Sequence, residues 1–267
     1  MTPRPISPQH DRTARILGLP AMEALARAGV GRLTLVDGER IEPTNANRQL
    51  HALAGAYGEN KAQAMAARLA AVSPAVKVEG IPEFYGEENA ARLVPEGTSA
   101  VVDAMDTVVA KLHVIARCLE RGIPLVTALG AARRLDPTAI QVTDLCESHT
   151  DQLAKDVRKY LRRRHGIPAT APTGITAVWS VELPRETLAL PGDEEGLPGV
   201  RARPAGPRRR EPRCHGSVAF VTGAFGLAAA GAVVGRLTGV APRTHRVLSE
   251  AEVKRRRKGK GKGKAGR

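Results

Sequence analysis

From Arg32 to Ala128 the chain alternates short apolar runs with longer segments whose apolar residues recur at helical spacing. The apolar runs lie at residues 33–37, 76–78, 100–104 and 124–128, and their lengths and flanking residues predict buried strands. Helical spacing is clearest at residues 60–72 and 107–121. Strands that alternate with helices predict βαβ units, and therefore an α/β fold with a doubly wound, mostly parallel, Rossmann-like sheet.

The pattern changes after Gly130. Residues 140–144 and 175–181 are typical of strands, and residues 151–164 and 217–234 of helices. We interpret this part as a C-terminal α+β elaboration of the same sheet. The predicted organisation is a nucleotide-binding domain at 1–184, a flexible Pro/Arg-rich loop at 185–213, an apolar helix of the same domain at 214–240 and a disordered basic tail at 241–267.

The segment 217–234 has no charged residue over 18 positions, which is the lower limit for crossing a bilayer. Its many glycines and alanines make it only weakly hydrophobic. We therefore favour a buried helix or a helix at a dimer interface. Membrane attachment beside the basic tail stays open as an alternative.

The net charge of the 267-residue chain is +14, and nine of these positive charges lie in Lys254–Arg267, which holds no acid. A second basic run, at 201–213, holds six arginines and one glutamate. Both runs are rich in Gly or Pro and are expected to be disordered. They either solubilise the protein or attract phosphate backbones, and the second interpretation fits an RNA substrate.

The three cysteines share no C-x-x-C spacing, which argues against a zinc ribbon or a disulfide framework and favours a reducing compartment. No signal peptide pattern is visible in residues 1–10, so we expect a cytoplasmic protein. Cys118 lies between apolar residues of a predicted helix and is expected in the core. Cys146 has no obvious His–Asp set that would make it a nucleophile, although His149 is near in sequence. Cys214 lies beside His215 and could form a thiol–imidazole pair with it, but we favour the end of a flexible loop.

Four charged residues are candidates for nucleotide chemistry. Asp37 ends a predicted parallel strand, where a carboxylate can accept two hydrogen bonds from a ribose. Arg48 offers a planar fork suited to a phosphate, and Lys61 offers a compact charge one element later. Asp106 follows another strand and is placed to hold a metal ion or to orient phosphates. Two cations and two acids at the carboxyl edge of one sheet predict a Mg-ATP site.

Two sequence blocks carry a family resemblance: TNANRQLHA at 44–52 and DPTAIQVTDL at 136–145. With Asp37 before the first block and Lys61 after it, the chain resembles the E1-like adenylating superfamily, the ThiF/MoeB group. Within that group, these blocks and the segment 216–234 look like the tRNA threonylcarbamoyladenosine dehydratase branch. The resemblance covers about residues 10–165 and 214–238. The four zinc cysteines of several adenylating relatives are absent, which fits this branch.

The resemblance implies a role for each candidate. Asp37 would bind the adenosine ribose, Asn45, Arg48 and Lys61 the phosphates, and Asp106 Mg²⁺. Arg12 would reach the γ-phosphate in the partner subunit of a homodimer. The implied activity is ATP-dependent dehydration of N6-threonylcarbamoyladenosine at position 37 of tRNA. The tRNA would lie on the basic helix end, with contacts from Arg158, Arg162, Arg163 and Arg164, and a sulfur-transfer protein is a further implied partner.

Two alternatives stay open. The first is adenylation of the C-terminus of a ubiquitin-like sulfur carrier, which shares the activation step. The second is a non-catalytic remnant that has lost ATP binding.

The remnant alternative rests on a missing motif. The family begins its fold with a strand and a G-x-G-G-x-G loop whose backbone N–H groups approach the phosphates, and this chain has no such loop. Because family sequences carry stretches like MEALARA and EALARAGVG on either side of that unit, we interpret residues 22–31 as the junction of a deletion. The sheet is then expected to lack its first, central βα unit, and triphosphate binding is expected to be weak.

Overall fold

Seven strands form one sheet in a computed structural model, which describes residues 13–17, 21–168, 170–185 and 216–240. The strand order is β3-β2-β1-β4-β5-β7-β6, and every neighbouring pair is parallel except β6 with β7. The strands are β1 (Thr13–Leu17), β2 (Arg32–Val36), β3 (Lys77–Ile81), β4 (Ala100–Asp103), β5 (Leu125–Ala128), β6 (Ile140–Asp144) and β7 (Thr176–Ser180). The predicted doubly wound α/β sheet is confirmed.

Helices cover both faces of the sheet. They are α1 (Met22–Arg27), α2 (Lys61–Val72), α3 (Ala90–Leu93), α4 (Val108–Glu120), α5 (Gln152–His165) and α6 (Ala219–Thr238). Buried residues of α1, α2 and α6 form one apolar core with the strands, and those of α3, α4 and α5 form the other. Because both faces are covered, the strands β2 and β4 are apolar almost throughout.

The apolar helix α6 belongs to the core of the domain. Among the described helices it alone is long and apolar enough to cross a membrane. Six of its residues are buried, and five of them (Val221, Phe225, Ala229, Ala230 and Val233) pack in the core that α1 and α2 share. The predicted buried helix at this position is therefore confirmed. Phe220 and Leu227 lie outside this core and are exposed.

β1 lies inside the sheet, where it pairs with β2 on one side and with β4, the middle strand of the seven, on the other. The expectation that the sheet lacks its first βα unit is therefore wrong. Residues 13–17 form this inner strand, and α1 follows as the first helix. A strand was not predicted there because the absence of a G-x-G-G-x-G loop was interpreted as the loss of the whole unit. Its sequence, TARIL, has one threonine and one arginine, as does the predicted strand β2.

Arg15 shows how poorly this segment matches an inner strand. Its Nη1 donates a hydrogen bond of 2.7 Å to the Leu93 carbonyl, but its Nε is buried without a hydrogen-bond partner. Burial lowers the pKa of the guanidinium below its ordinary value, although Glu79 opposes the change. β1 thus carries a partly desolvated charge whose Nε has no hydrogen-bond partner.

Candidate active site

Asp37 lies at the C-terminal edge of the sheet, directly after β2. Its backbone N–H donates to the Ile81 carbonyl at 3.2 Å, and its Oδ1 accepts the backbone N–H of Glu39 at 2.9 Å. Burial raises the pKa of the carboxyl, with Asp106 adding to the rise, whereas the Glu39 N–H and Lys61 oppose it. The carboxylate is half-buried, oriented and close to both a cation and a second acid, as the sequence predicts for a ribose ligand.

Asn60 organises the connection between β2 and α2. Its Nδ2 donates to the carbonyls of Asp37, at 2.8 Å, and Glu39, at 3.1 Å. Its Oδ1 accepts the backbone N–H of Gln63 at 3.1 Å and so caps α2. One side chain therefore fixes both ends of the connection, and it holds Lys61 at the first position of the helix.

Lys61 is 3% exposed and points into the site. Its Nζ pairs with the Glu39 carboxylate, and its backbone N–H donates to the Glu39 carbonyl at 3.0 Å. The lysine is therefore held in place before any nucleotide arrives. A phosphate could replace the exposed Glu39 carboxylate as its partner.

The TNANRQLHA block forms a tight turn, in which residues 43–45 are a short 3₁₀ helix. Asn45 is buried and its Oδ1 accepts the backbone N–H of Glu42 at 3.0 Å, so its amide oxygen shapes the turn. Arg48 is half-buried, and its Nη1 donates to the Thr44 carbonyl and to Asn47 Oδ1. Within the described residues its other guanidinium N–H groups have no partner, which leaves them for a phosphate.

Asn47 joins this turn to α6. Its Nδ2 donates to the carbonyl of Ser217 at 2.8 Å, just before the helix begins. The C-terminal helix therefore starts beside the predicted phosphate ligands, and the sequence analysis did not anticipate this contact.

His51 is buried next to this cluster. Its Nε2 has no hydrogen-bond partner, and burial, with a contribution from Lys61, lowers its pKa to about 4. The imidazole is therefore neutral at physiological pH. A neutral ring adds no charge to a site that already holds two cations.

Two acids lie at the C-terminal end of β4 and have different environments: Asp103 is the last residue of the strand, and Asp106 follows it. Asp106 is exposed and makes no hydrogen bond within the described residues, so its carboxylate is free for a metal ion. Asp103 is fully buried and accepts bonds from Lys111 Nζ at 2.6 Å, Thr127 Oγ1 at 2.7 Å and the backbone N–H of Met105 at 3.1 Å. Lys111 also donates to Thr127 Oγ1 and to the Ala128 carbonyl.

This buried network was missed by the sequence analysis. It ties the ends of β4 and β5 to α4, immediately below the exposed Asp106. A signal was available, because Lys111 lies among apolar residues on the buried side of α4, where a lysine needs a partner.

The connection from β1 to α1 is short and has few groups that could bind a phosphate. It consists of residues 18–21, with the sequence Gly-Leu-Pro-Ala, of which only Ala21 is described. Ala21 gives the helix no side-chain cap, and α1 has only six residues. The first turn carries Glu23, an acid that pairs with Arg27 and Arg68. Proline lacks an N–H, so this sequence offers few backbone donors to a phosphate.

The predicted tRNA ligands lie on α5. Arg162, Arg163 and Arg164 are exposed and form no ion pair within the described residues, although Arg164 lies over the Tyr160 ring. Arg158 differs, because its Nη1 donates to the carbonyl and hydroxyl of Ser148.

The basic end of α5 is far from the nucleotide cluster. The helix begins at the C-terminal edge, where its capping residue Asp151 accepts the Gly130 N–H at 2.6 Å. Its 14 residues then span about 20 Å toward the opposite edge, at 1.5 Å per residue. Arg12, the tail at 241–267 and most of the 185–213 loop lie outside the described residues.

The cysteine predictions are partly tested. Cys118 is fully buried, and burial raises the pKa of its thiol to about 12, so the predicted core role is confirmed. Cys146 is partly exposed, and Cys214 lies outside the described residues.

Comparison with known proteins gives a family. The profile of the ThiF family matches residues 16–258, which is most of the chain. The chain belongs to the ThiF family.

The curated relatives of this ThiF-family chain include tRNA threonylcarbamoyladenosine dehydratases. The protein of Bacillus subtilis is 43% identical over 168 residues, which cover 63% of this chain and 64% of that protein. The protein of Escherichia coli is 37% identical over 216 residues, 80% of this chain and 79% of that protein. The alignment thus reaches slightly less than two thirds of the Bacillus relative and more of the Escherichia relative.

A solved structure has a similar fold. The crystal structure of the Escherichia coli tRNA N6-threonylcarbamoyladenosine dehydratase in complex with ATP matches with a TM-score of 0.72 at 33% identity. The match covers 86% of each chain. The superfamily and branch predicted from the two sequence blocks are confirmed.

Proposed function

We propose that this ThiF-family protein catalyses the ATP-dependent dehydration of N6-threonylcarbamoyladenosine at position 37 of tRNA. The observation that carries the proposal is that Asp37, Lys61 and Asp106 lie close together at one sheet edge, in a chain whose fold matches an ATP-bound dehydratase. Charged groups that converge on a half-buried edge can neutralise a triphosphate while its bonds rearrange.

The chemistry begins with activation of the threonyl carboxylate. A carboxylate oxygen attacks the α-phosphorus of ATP, pyrophosphate leaves, and a mixed anhydride with AMP forms. A nucleophilic atom of the same side chain then attacks the activated carbonyl carbon and loses its proton. The ring closes and AMP leaves with the carboxylate oxygen, so the nucleoside has lost one water.

The protein's part is to hold the nucleotide. Asp37 accepts the ribose hydroxyls, and the free N–H groups of Arg48 and the Lys61 ammonium bind phosphate oxygens as charge moves onto the leaving group. Asn45 contributes its amide nitrogen, because its oxygen is already bonded within the turn. Arg12 is proposed to reach the γ-phosphate of the partner subunit.

A magnesium ion fits this site only if a protein carboxylate and the nucleotide phosphates coordinate it together. The described residues contain no group of three or more His, Cys, Asp or Glu side chains that could hold a metal, and Asp103 is occupied by Lys111. Mg²⁺ commonly uses one or two carboxylates together with substrate phosphates, and the exposed Asp106 is suited to that role. Bound there, the ion would neutralise phosphate charge.

The direct test is a mass measurement. Purified protein, ATP and tRNA that carries the threonylcarbamoyl group are incubated, and the tRNA is digested to nucleosides. We expect the modified adenosine to lose the mass of one water, with AMP formed in equal amount. Asp106→Asn should slow the reaction, whereas Glu120→Gln, an exposed substitution at the end of α4, should leave it unchanged. If the mass of the modified adenosine does not change after incubation with wild-type protein at a high ATP concentration, the proposal is refuted.

The tRNA is proposed to lie along α5 and its exposed arginines. Charge reversal of Arg162, Arg163 and Arg164 to glutamate should weaken tRNA binding and flatten its salt dependence, because each phosphate contact releases counterions. Binding of AMP should not change, since these residues lie near the C-terminal end of α5, a helix about 20 Å long that begins at the C-terminal edge of the sheet. Arg158→Gln is expected to have a smaller effect because that side chain contacts Ser148. Unchanged tRNA affinity across a salt titration would exclude this surface.

A homodimer in the cytoplasm is the proposed working form. Exposed apolar side chains near the start of α6 and after the 44–49 turn support a subunit contact there; they are Phe220, Leu227, Leu50 and Leu53. The packing of α6 in the core supports a location away from the membrane. Analytical sedimentation of the wild-type protein and of Leu227→Asp tests the dimer: the wild type should sediment as a dimer and the variant as a monomer. A sulfur-transfer protein remains a proposed partner on the resemblance alone.

A second candidate is a remnant that binds tRNA but not ATP. The short connection from β1 to α1 favours it, because the sequence Gly-Leu-Pro-Ala replaces a glycine-rich phosphate loop. Binding of tRNA without any binding of AMP or ATP would select this candidate.

A further inference from the structure

An exposed aromatic ring lies directly beside the predicted ribose ligand. Phe84 follows β3, the neighbour of β2, and its side chain is 68% exposed. Its ring packs over Gly38, the residue after Asp37. A methyl group at Gly38 would approach within 2.5 Å of the Phe84 ring, which no pair of carbon atoms tolerates.

The loop that carries Phe84 is fixed on both sides. Asn89 Nδ2 donates to the Phe84 carbonyl at 2.9 Å, and Asn89 Oδ1 accepts the Gly86 N–H at 2.9 Å. The next residue, Tyr85, is buried in the core, and its hydroxyl lies 3.0 Å from His113 Nδ1. The backbone therefore holds an apolar ring in water at a defined place, although burying a phenylalanine elsewhere would be favourable.

We propose that Phe84 is the platform on which the adenine ring stacks. The inference rests on the proposed function, since it requires adenosine to bind with its ribose at Asp37. A base attached to that ribose lies within reach of the loop after β3, and one face of the Phe84 ring is turned to solvent rather than to Gly38. Stacking needs only the flat face of the base, so the platform selects for a base rather than for a particular hydrogen-bond pattern.

Gly38 is part of the same device. Its backbone lies outside the left-handed region, so alanine is tolerated by the main chain, and only the Phe84 ring must move. Gly38→Ala therefore displaces the platform without removing it. The pair forms a double-mutant cycle, in which Gly38→Ala should matter only while Phe84 is present.

The test is calorimetric titration of the full chain with AMP, Mg-ATP and magnesium tripolyphosphate. We expect Phe84→Ala to weaken the binding of AMP and of Mg-ATP by the same factor, about tenfold or more, because the stacking of the base on an aromatic ring is lost. Tripolyphosphate, which has no base, should bind as it does to wild type. Gly38→Ala should weaken AMP as well, and the double variant should equal Phe84→Ala alone. Leu183→Ala, at an exposed apolar side chain after β7, is the control and should change nothing.

The outcomes separate the two proposals. Unchanged AMP affinity in Phe84→Ala, with wild type binding AMP, would overturn the platform and leave the proposed function standing. Failure of wild type to bind AMP or Mg-ATP would overturn both. Equal weakening of tripolyphosphate would also overturn the platform, because the substitution would then act on the whole site. Thermal unfolding of each variant confirms that the fold is kept.

Discussion

The connections from β2 to α2 and from β1 to α1 follow two neighbouring parallel strands, yet they differ in sequence and in the helix that each one begins. The first has a side-chain cap, Asn60, an oriented carboxylate, Asp37, and a helix of 12 residues. The second has no side-chain cap at Ala21 and a helix of six residues with an acid in its first turn. The side that we propose holds the nucleoside is thus fixed by contacts among described residues, whereas the sequence of residues 18–21 offers few backbone donors to the phosphates.

We propose from this difference that the chain keeps the architecture of a doubly wound fold but binds the triphosphate weakly. An inner parallel strand requires only backbone hydrogen bonds and tolerable side chains, which residues 13–17 supply. A phosphate cradle requires glycines at defined positions. The fold is therefore less demanding than the triphosphate site that normally accompanies it.

The largest loss of stability should come from disrupting the buried Asp103–Lys111 network at the C-terminal edge of the sheet. Asp103→Ala leaves the fully buried Lys111 without its carboxylate, and loss of one partner of a buried pair costs about 3–5 kcal/mol. Urea denaturation measures this loss. Asp106→Ala, at the exposed acid three residues later, should cost less than about 0.5 kcal/mol. Similar losses in both variants would mean that the buried network does not stabilise the edge.

Acid should weaken the β2–α2 side through His51. The folded pKa of about 4 lies below the ordinary value of 6.5, so the unfolded chain takes up the proton first, and stability falls as pH drops from 6.5 toward 4. Between pH 7 and pH 5 this group should account for a loss of about 2 kcal/mol. His51→Gln should remove that part of the slope. If wild type and variant lose stability in parallel, the imidazole does not contribute.

Asn60→Ala should lower the free energy of unfolding by about 1–2 kcal/mol, because the side-chain cap of α2 and two hydrogen bonds to backbone carbonyls are lost together. AMP affinity should fall too, because the position of Asp37 is set by the same side chain. Gln63→Ala, on the exposed side of the same turn, is the control. A variant with full stability and full affinity would show that the connection is held by other contacts.

The smallest effect should be a gain at the inner strand β1. Arg15→Leu removes a buried Nε that has no partner and replaces it with an apolar side chain, at the cost of one bond to the Leu93 carbonyl. We expect a gain of about 0.5–1 kcal/mol in thermal or urea unfolding. A clear loss of stability would instead mean that Arg15 is well accommodated.

Much of the fold could be predicted from the sequence. The strand at 140–144 and the helices at 107–121 and 151–164 agree with β6, α4 and α5 to within about one residue at each end. These elements have strong periodicity and clear ends, such as Asp151 and Gly166 around α5. β1 was not predicted, because the absence of a G-x-G-G-x-G loop indicated the loss of the whole unit, and because its pairing with β2 and β4 does not follow from its own composition.

The candidate site was predicted in part. Asp37 and Lys61 lie at one edge because strand ends and helix starts converge there, and the pKa of Asp37 responds to both Lys61 and Asp106. Asn60, Phe84 and the Asp103 network were not predicted. Their roles depend on contacts between residues far apart in sequence, such as Asp103 with Thr127, and no local pattern encodes these contacts.

The measurement that tests the contrast between the two connections most directly is calorimetry with AMP and Mg-ATP. Two proteins are compared: the chain itself, and a version in which a G-x-G-G-x-G loop is inserted in place of residues 18–21, between β1 and α1. We expect AMP to bind both equally, because Asp37 is unchanged, and ATP to bind the chain itself no more than about tenfold more tightly than AMP. The inserted loop should tighten ATP by about 100-fold, since several backbone donors are restored. ATP binding by the chain without the insertion that is much more than about tenfold tighter than AMP binding would contradict this account.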